Sequence, residues 1–274
     1  MCYYNGQKVT HAEFIRLKGL EKLVASYGFL NTDLHDGFAY GNIAVLKPIE
    51  GKVDFDIVQM EWGFIPDSWF GKQLDTREKV KIWRDGYKDP IKGWVKGITT
   101  LNAVGEEMLL KNKIYRHSAL NRRCLVLSSG FFEWRHFFPP NKRTGLPTKT
   151  AIKIPHYINV KDREYFFMAG IYKPWTDKET GETVNTVSIC TTAAPEGHLM
   201  AKVHNSKLRM PTILNEDLAY EWLFEPMSED RITEVGTTVF PSDQMAAFPI
   251  AKDFKTAFDP TTPFEYQDVP ALDL

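Results

Sequence analysis

The stretch that decides the fold is Arg122-Arg123-Cys124-Leu125-Val126-Leu127-Ser128-Ser129-Gly130-Phe131-Phe132-Glu133-Trp134. Cys124–Ser128 is a short apolar run closed by a Ser-Ser-Gly break, the pattern of a buried strand. Similar runs recur on both sides of it, at Ile43–Leu46, Phe55–Met60, Ala151–Val160, Tyr165–Ile171 and Thr186–Thr191. Strands therefore dominate. His11 to Tyr27 predicts an amphipathic helix, with Phe14, Ile15, Leu17, Leu20, Leu23 and Val24 at helical spacing and Gly28 as a stop. Gly105 to Lys113 and Glu216 to Phe224 predict two further short helices. Pro139 to Thr150 is rich in Pro, Gly, Thr and Lys and predicts a surface loop inside a hairpin-like pair. No linker or internal repeat divides the chain. The expectation is a single α+β domain, its mainly antiparallel sheet curled into a barrel-like core with flanking helices. That domain spans residues 1–256, and an extended C-terminal tail follows over residues 257–274.

Composition narrows the class. The 274 residues are 43% hydrophobic and 25% charged, the mix of a globular protein and not of a disordered chain, a collagen or a coiled coil. No apolar run is long enough to span a bilayer, and MCYYNGQKVTHAEF lacks the pattern of a secretory signal. Three scattered cysteines make no disulfide framework, which predicts a reduced, cytoplasmic setting. The formal net charge is −1, so no global attraction to nucleic acid is expected. The distribution is uneven. Ten basic residues (Lys111, Lys113, Arg116, Arg122, Arg123, Arg135, Lys142, Arg143, Lys149 and Lys153) surround one acid, Glu133, whereas the chain from Asn215 onward carries three basic and thirteen acidic residues. Such a basic segment either recruits a polyanion or is a solvated face.

Four segments carry candidate chemistry. Removal of Met1 would leave Cys2 with both an α-amine, of reference pKa about 7.7–8.0, and a thiol of about 8.5. An amine condenses with an aldehyde to an imine, and a thiol so placed then closes a thiazolidine ring. The same residue suits an N-terminal nucleophile that uses its own amine as base, and it also suits an incidental cysteine at a chain end. Glu133 is a lone acid among aromatics. Either apolar surroundings raise its pKa for proton shuttling, or it pairs with Arg122, Arg123 or Arg135. In Val203-His204-Asn205-Ser206-Lys207-Leu208-Arg209-Met210-Pro211, His204 is a candidate acid or base, or a structural histidine. Lys207 and Arg209 are candidate phosphate ligands. In Trp62-Gly63-Phe64-Ile65-Pro66-Asp67-Ser68-Trp69-Phe70, Trp62 belongs to the core, and Trp69 and Phe70 are the aromatics to present to bases. Cys124 and Cys190 sit in apolar strands, and no metal-ligand spacing exists, so no metal or cofactor is expected.

In order, these segments resemble the SRAP (SOS-response-associated peptidase) family, which shields abasic sites in single-stranded DNA. The resemblance runs from Cys2 to about Trp222. Its pieces are Met1-Cys2, WGFIPDSW at Trp62–Trp69, LNAVGEE at Leu101–Glu107, RRCLVLSSGFFEW at Arg122–Trp134, FFMAGIY at Phe166–Tyr172, TTAAP at Thr191–Pro195 and HNSKLRMP at His204–Pro211. It implies that Cys2 forms a thiazolidine with the ring-opened sugar aldehyde. By the same resemblance Asn102 orients that adduct, Glu133 assists proton transfer at the α-amine, and His204 moves protons on the sugar oxygen. Arg209 and Lys113 would hold the DNA backbone, and Trp69 and Phe70 would wedge against bases beside the lesion. The implied partner is single-stranded DNA with abasic sites, engaged by a monomer in the cytoplasm or, in a bacterium, at the nucleoid. Tyr3-Tyr4 stands where the family has Gly-Arg after the cysteine, and Val104 where it has the Arg of Asn-Ala-Arg. Two other readings use the same residues: a thiol autopeptidase or N-terminal-nucleophile hydrolase, and a non-covalent single-strand binder.

Overall fold

Arg123–Ser128 is a strand paired on one side with Asn42–Pro48 and on the other with Phe166–Thr176, in a computed structural model that describes residues 2–272. Asn42–Pro48 pairs with Phe55–Trp62, and Phe55–Trp62 runs parallel to Thr183–Ala193. Thr183–Ala193 then pairs antiparallel with Phe166–Thr176 and closes a five-stranded barrel. The unbroken run Cys124–Leu127 follows from this position. Cys124 and Val126 pack into one apolar cluster with Trp62 and Met168. Leu125 and Leu127 pack into another, with Phe55 and Trp222. A strand covered on both faces needs no polar alternation.

The chain leaves the barrel at Ser129 and enters a second antiparallel sheet as Gly130–Phe137. That sheet runs in the order Met245–Pro249, Ile152–Val160, Gly130–Phe137, Tyr4–Lys8, Asn31–Asp36. The loop over residues 138–151 joins its two long strands, which pair from Phe137↔Ile152 to Phe131↔Ile158. Gly130 is required where it sits, because a Cβ there would lie 2.2 Å from the Tyr157 ring. The protein is thus a single α+β domain, mostly sheet, with a closed barrel and a few helices. Glu216–Phe224 is helical as expected, capped by the Asn215 side chain, which accepts from Leu218 N–H.

Two expected helices are absent. Residues 11–27 form a hairpin, Phe14–Leu17 paired with Leu20–Leu23, turning through Lys18 and Gly19, both at positive φ. The spacing that mimicked a helix also satisfies a strand: Ile15 and Leu17 point into the core while Arg16 between them is exposed. Residues 105–113 make successive tight turns instead, closed by Glu107 N–H to Val104 O, Leu110 N–H to Glu107 O and Lys113 N–H to Leu110 O. Tertiary bonds hold that segment: Gly105 N–H donates to Thr191 O, and the Glu106 carboxylate is engaged by Arg209 and Ala193 N–H. Beyond the short helical turn Phe254–Thr256 the chain is irregular through Leu272. It lies against the second sheet, with Phe264 N–H on Pro249 O and Pro270 O accepting from Arg135 Nη1. No helix among the described residues is long and apolar enough to cross a membrane.

Candidate active site at the N-terminal strand

Tyr4–Lys8 positions the site. Asn5 pairs with Phe131 and Gly6 with Gly130, so continuing that register backward runs Cys2 alongside Glu133 and Trp134. A buried polar seam fixes the strand against the barrel. Gln7 Nε2 donates to Ala44 O (2.9 Å) and Leu127 O (2.7 Å), and Gln7 Oε1 accepts from Ala44 N–H (2.6 Å). The barrel ladder pairs Leu125 with Leu46 and Val126 with Val45. One step further on, the Gln7 amide takes the place of a backbone pairing between Leu127 and Ala44. Asn5 Nδ2 adds a bond to Leu127 O at 3.1 Å.

Cys2 is fully buried, its Sγ 3.7 Å from Tyr4 O. Burial, then the charge of Glu133, pushes its thiol far above the ordinary range, so the sulfur carries its proton. Asn102 Nδ2 donates to Cys2 O at 2.9 Å. Asn102 is carried by the short strand Asn102–Val104, which runs parallel to Thr183–Ala193, and its Oδ1 has no hydrogen-bond partner among the described residues. Glu133 is buried, and burial pushes its carboxyl up to about 7. His204 closes the group from the end of the short helix Leu199–Val203, its Nε2 3.7 Å from Glu133 Oε2. Burial holds the imidazole down at about 4. Cys2, Asn102, Glu133 and His204 thus meet, although they are up to two hundred residues apart in sequence.

Of the four residues expected to contact DNA, Arg209 and Lys113 are engaged by acids. The Arg209 guanidinium makes two bonds to the Glu106 carboxylate (3.0 and 2.8 Å) and reaches Thr191 O (2.6 Å). Its carbonyl contacts His204 Nδ1 at 2.9 Å. Lys113 Nζ is paired with Glu107. Phe70 is 92% exposed at the tip of a hairpin, and Trp69 is half-buried against Trp83. Within the basic segment, Arg116 pairs with Glu229, and Arg123 caps two helix ends at the Ala119, Leu120, Trp222 and Glu225 carbonyls.

Two neighbours of the site have no sequence signal of their own. His156 is the cross-strand partner of Glu133, buried, and held down at about 4 by burial. Tyr3 is half-buried, and burial with the nearby Glu133 charge raises its phenol.

The profile of the SOS response associated peptidase (SRAP) family matches residues 35–257. The chain belongs to the SRAP family. This SRAP chain is 28% identical over 193 residues to the abasic site processing protein YoqW of Bacillus subtilis, covering 70% of this chain and 68% of that protein. It is also 28% identical over 211 residues to the abasic site processing protein HMCES of Gallus gallus, covering 71% of this chain but only 52% of that longer protein. A crystal structure of a protein from Bacteroides thetaiotaomicron is similar at a TM-score of 0.66 and 28% identity, covering 96% of this chain and 97% of that one. A Bordetella bronchiseptica protein, at 19% identity and a TM-score of 0.54 over 77% of this chain and 84% of its own, shares the fold. The SRAP profile starts after the N-terminal strand, so the position of Cys2 rests on the register described above.

Proposed function

We propose that this protein processes abasic sites in DNA, and that it does so by capturing the lesion covalently on Cys2 of a chain from which Met1 has been removed. The single observation that carries the reading is the convergence of a buried N-terminal cysteine with Glu133, His204 and Asn102. An abasic sugar equilibrates between a cyclic hemiacetal and an open aldehyde. In ring opening Glu133 in its acid form protonates the ring oxygen as the carbon–oxygen bond breaks, neutral His204 takes the anomeric hydroxyl proton on Nε2, and that proton then passes back to Glu133. The Cys2 α-amine attacks the aldehyde, because the thiol beside it is held protonated. Glu133 in its acid form protonates the departing hydroxyl, water leaves, and an imine remains. The thiol then adds to the imine carbon, its proton goes to nitrogen, and a thiazolidine results with the net loss of one water. Asn102, bonded to the Cys2 carbonyl, fixes the direction of the amine.

The partner we assign is single-stranded DNA, engaged by a monomer in the cytoplasm, or at the nucleoid if the organism is bacterial. The exposed Phe70 supports single strands, because an aromatic face stacks on unpaired bases. An autopeptidase reading would use the same cysteine, and the two differ in outcome: a hydrolase turns over and is released, whereas a captured lesion stays attached one to one. The test is denaturing electrophoresis after mixing the protein with a single-stranded oligonucleotide bearing one abasic site. A one-to-one adduct is expected with the wild type and none with Cys2→Ala. Multiple turnover with release of free protein would overturn the reading.

A further inference from the structure

The strand Gly130–Phe137 has two edges. One is paired with Ile152–Val160, from Phe131↔Ile158 to Phe137↔Ile152. The other is paired with Tyr4–Lys8 at its start, through Asn5↔Phe131 and Gly6↔Gly130, and that register continued backward reaches Trp134 at Cys2. Successive residues of a strand turn their N–H and C=O to opposite sides, so the groups of His136 on this second edge need a partner beyond Cys2. Asn205 supplies it. Its Oδ1 accepts from His136 N–H and its Nδ2 donates to His136 O, both at 2.9 Å. A side-chain amide offers one acceptor and donors side by side, and so stands in for a neighbouring strand. Gln7 engages the N–H and carbonyl of Ala44 in the same way.

This clamp joins the two elements that carry the acid and its acceptor. Glu133 lies three residues before His136 on the strand, and His204 immediately precedes Asn205. After the helix Leu199–Val203 the chain turns back sharply. Lys207 N–H and Leu208 N–H both donate to His204 O, at 3.3 and 2.9 Å, and Leu208 takes a positive φ. At the far end of the loop Arg209 is held by Glu106 and Thr191. Arg209 therefore ties the loop to the barrel, and Asn205 ties it to the strand of Glu133. Leu199, Met200 and Val203 share an apolar cluster with Phe131, which brings the helix against that strand. Apolar packing is non-directional, so it does not by itself aim the His204 ring. The two amide bonds do.

We infer that Asn205 is a positioning residue for the capture reaction: by pairing with the His136 backbone it sets the separation of His204 from Glu133, which is 3.7 Å. The inference rests on the Cys2 reading above and deepens it. Protons pass between these two groups during ring opening, and such transfers depend steeply on geometry. Stability alone does not call for the amide. Residue 205 is exposed, and water would satisfy His136 N–H and C=O in its place. Glu133 is faced by Cys2, Tyr3, His156 and His204, and His204 is faced by His136 and Lys207 as well. Of these groups, the clamp fixes His204 against the strand.

The experiment compares the wild type with Asn205→Ala, Asn205→Asp and, as a loop control, Ser206→Ala. Asn205→Ala removes both bonds. Asn205→Asp keeps an acceptor for His136 N–H but sets its second oxygen against His136 O. Two quantities are read: single-turnover adduct formation on a single-stranded oligonucleotide with one abasic site, over a range of DNA concentrations, and the titration of the His204 ring by NMR without DNA. Each Asn205 variant should lower the saturating rate about tenfold or more and leave the half-saturating DNA concentration within about twofold. Each should also raise the His204 titration from about 4 toward its ordinary 6.5, as the loosened ring meets water. Ser206→Ala should match the wild type in both. An unmoved His204 titration in both Asn205 variants, or equal losses in Ser206→Ala, overturns the inference. If no adduct forms with any protein yet the His204 titration moves in both Asn205 variants, the clamp stands and the Cys2 chemistry falls. If the Asn205 variants form adducts at the wild-type rate, the chemistry stands and the positioning role falls.

Discussion

His204 Nδ1 lies 2.9 Å from Arg209 O, while its Nε2 faces Glu133 Oε2 at 3.7 Å. A carbonyl only accepts, so Nδ1 carries the hydrogen and Nε2 turns its lone pair toward the carboxyl group. Burial sets Glu133 at about 7 and His204 at about 4. Between those values the proton of the pair resides on Glu133, which makes Glu133 the acid and His204 the acceptor.

The rate of adduct formation should therefore be bell-shaped in pH. It rises as the α-amine loses its proton and falls as Glu133 loses its own near pH 7. Glu133→Gln should remove the falling limb and slow the reaction about 10²-fold or more. Single-turnover rates from pH 5 to 9 check this, and an unchanged profile in the variant would remove Glu133 from the proton transfers.

Arg209→Ala separates two roles. With its guanidinium tied to Glu106 and Thr191, the residue should stabilise the loop that carries His204. The variant should lose about 1.5–3 kcal/mol in urea unfolding and leave the salt slope of DNA binding unchanged. Normal stability with a salt slope lowered by about one would mark a phosphate ligand instead.

Gln7→Ala should cost about 3 kcal/mol, because it strands the N–H and carbonyl of Ala44 in a buried seam and leaves Leu127 O with Asn5 Nδ2 alone. It should also slow adduct formation by loosening the strand that carries Cys2. Denaturant midpoints and adduct rates together test this, and a loss below about 0.5 kcal/mol would show the seam to be dispensable.

Stability should fall on acidification. Burial holds His35, His156 and His204 at about 4, below their unfolded values, so the unfolded chain binds more protons between about pH 6.5 and 4. These histidines contribute stability that is lost as pH drops through that window. Glu133, raised to about 7, has the opposite sign and favours the folded state as pH drops from 7 to 4.5. Three groups outweigh one, so the melting temperature should decline from pH 6.5 to 4, and His156→Gln should flatten the decline. A melting temperature that rises over this range would contradict the assignment.

Much of the barrel was legible because its central strand is covered on both faces and so appears as Cys124–Leu127 without polar interruption. Residues 11–27 were misread because a four-residue strand with Ile15 and Leu17 inward also satisfies a helical period over its neighbours. There Lys18-Gly19 was the turn signal. Cys2, Glu133 and His204 stand out by their own chemistry, each with an ordinary structural explanation beside it, and Asn102 enters only through the family resemblance. Their convergence depends on the long-range pairing of Asn5 with Phe131, which no local pattern encodes.

The most direct test of the central claim is the intact mass, under denaturing conditions, of Met1-free protein incubated with an abasic single-stranded oligonucleotide. A heat-stable product equal to protein plus oligonucleotide less one water, absent with Cys2→Ala and absent when the α-amine is blocked by an added N-terminal residue, is the predicted result. The same product at wild-type yield from Cys2→Ala, or from protein that retains Met1, would contradict it.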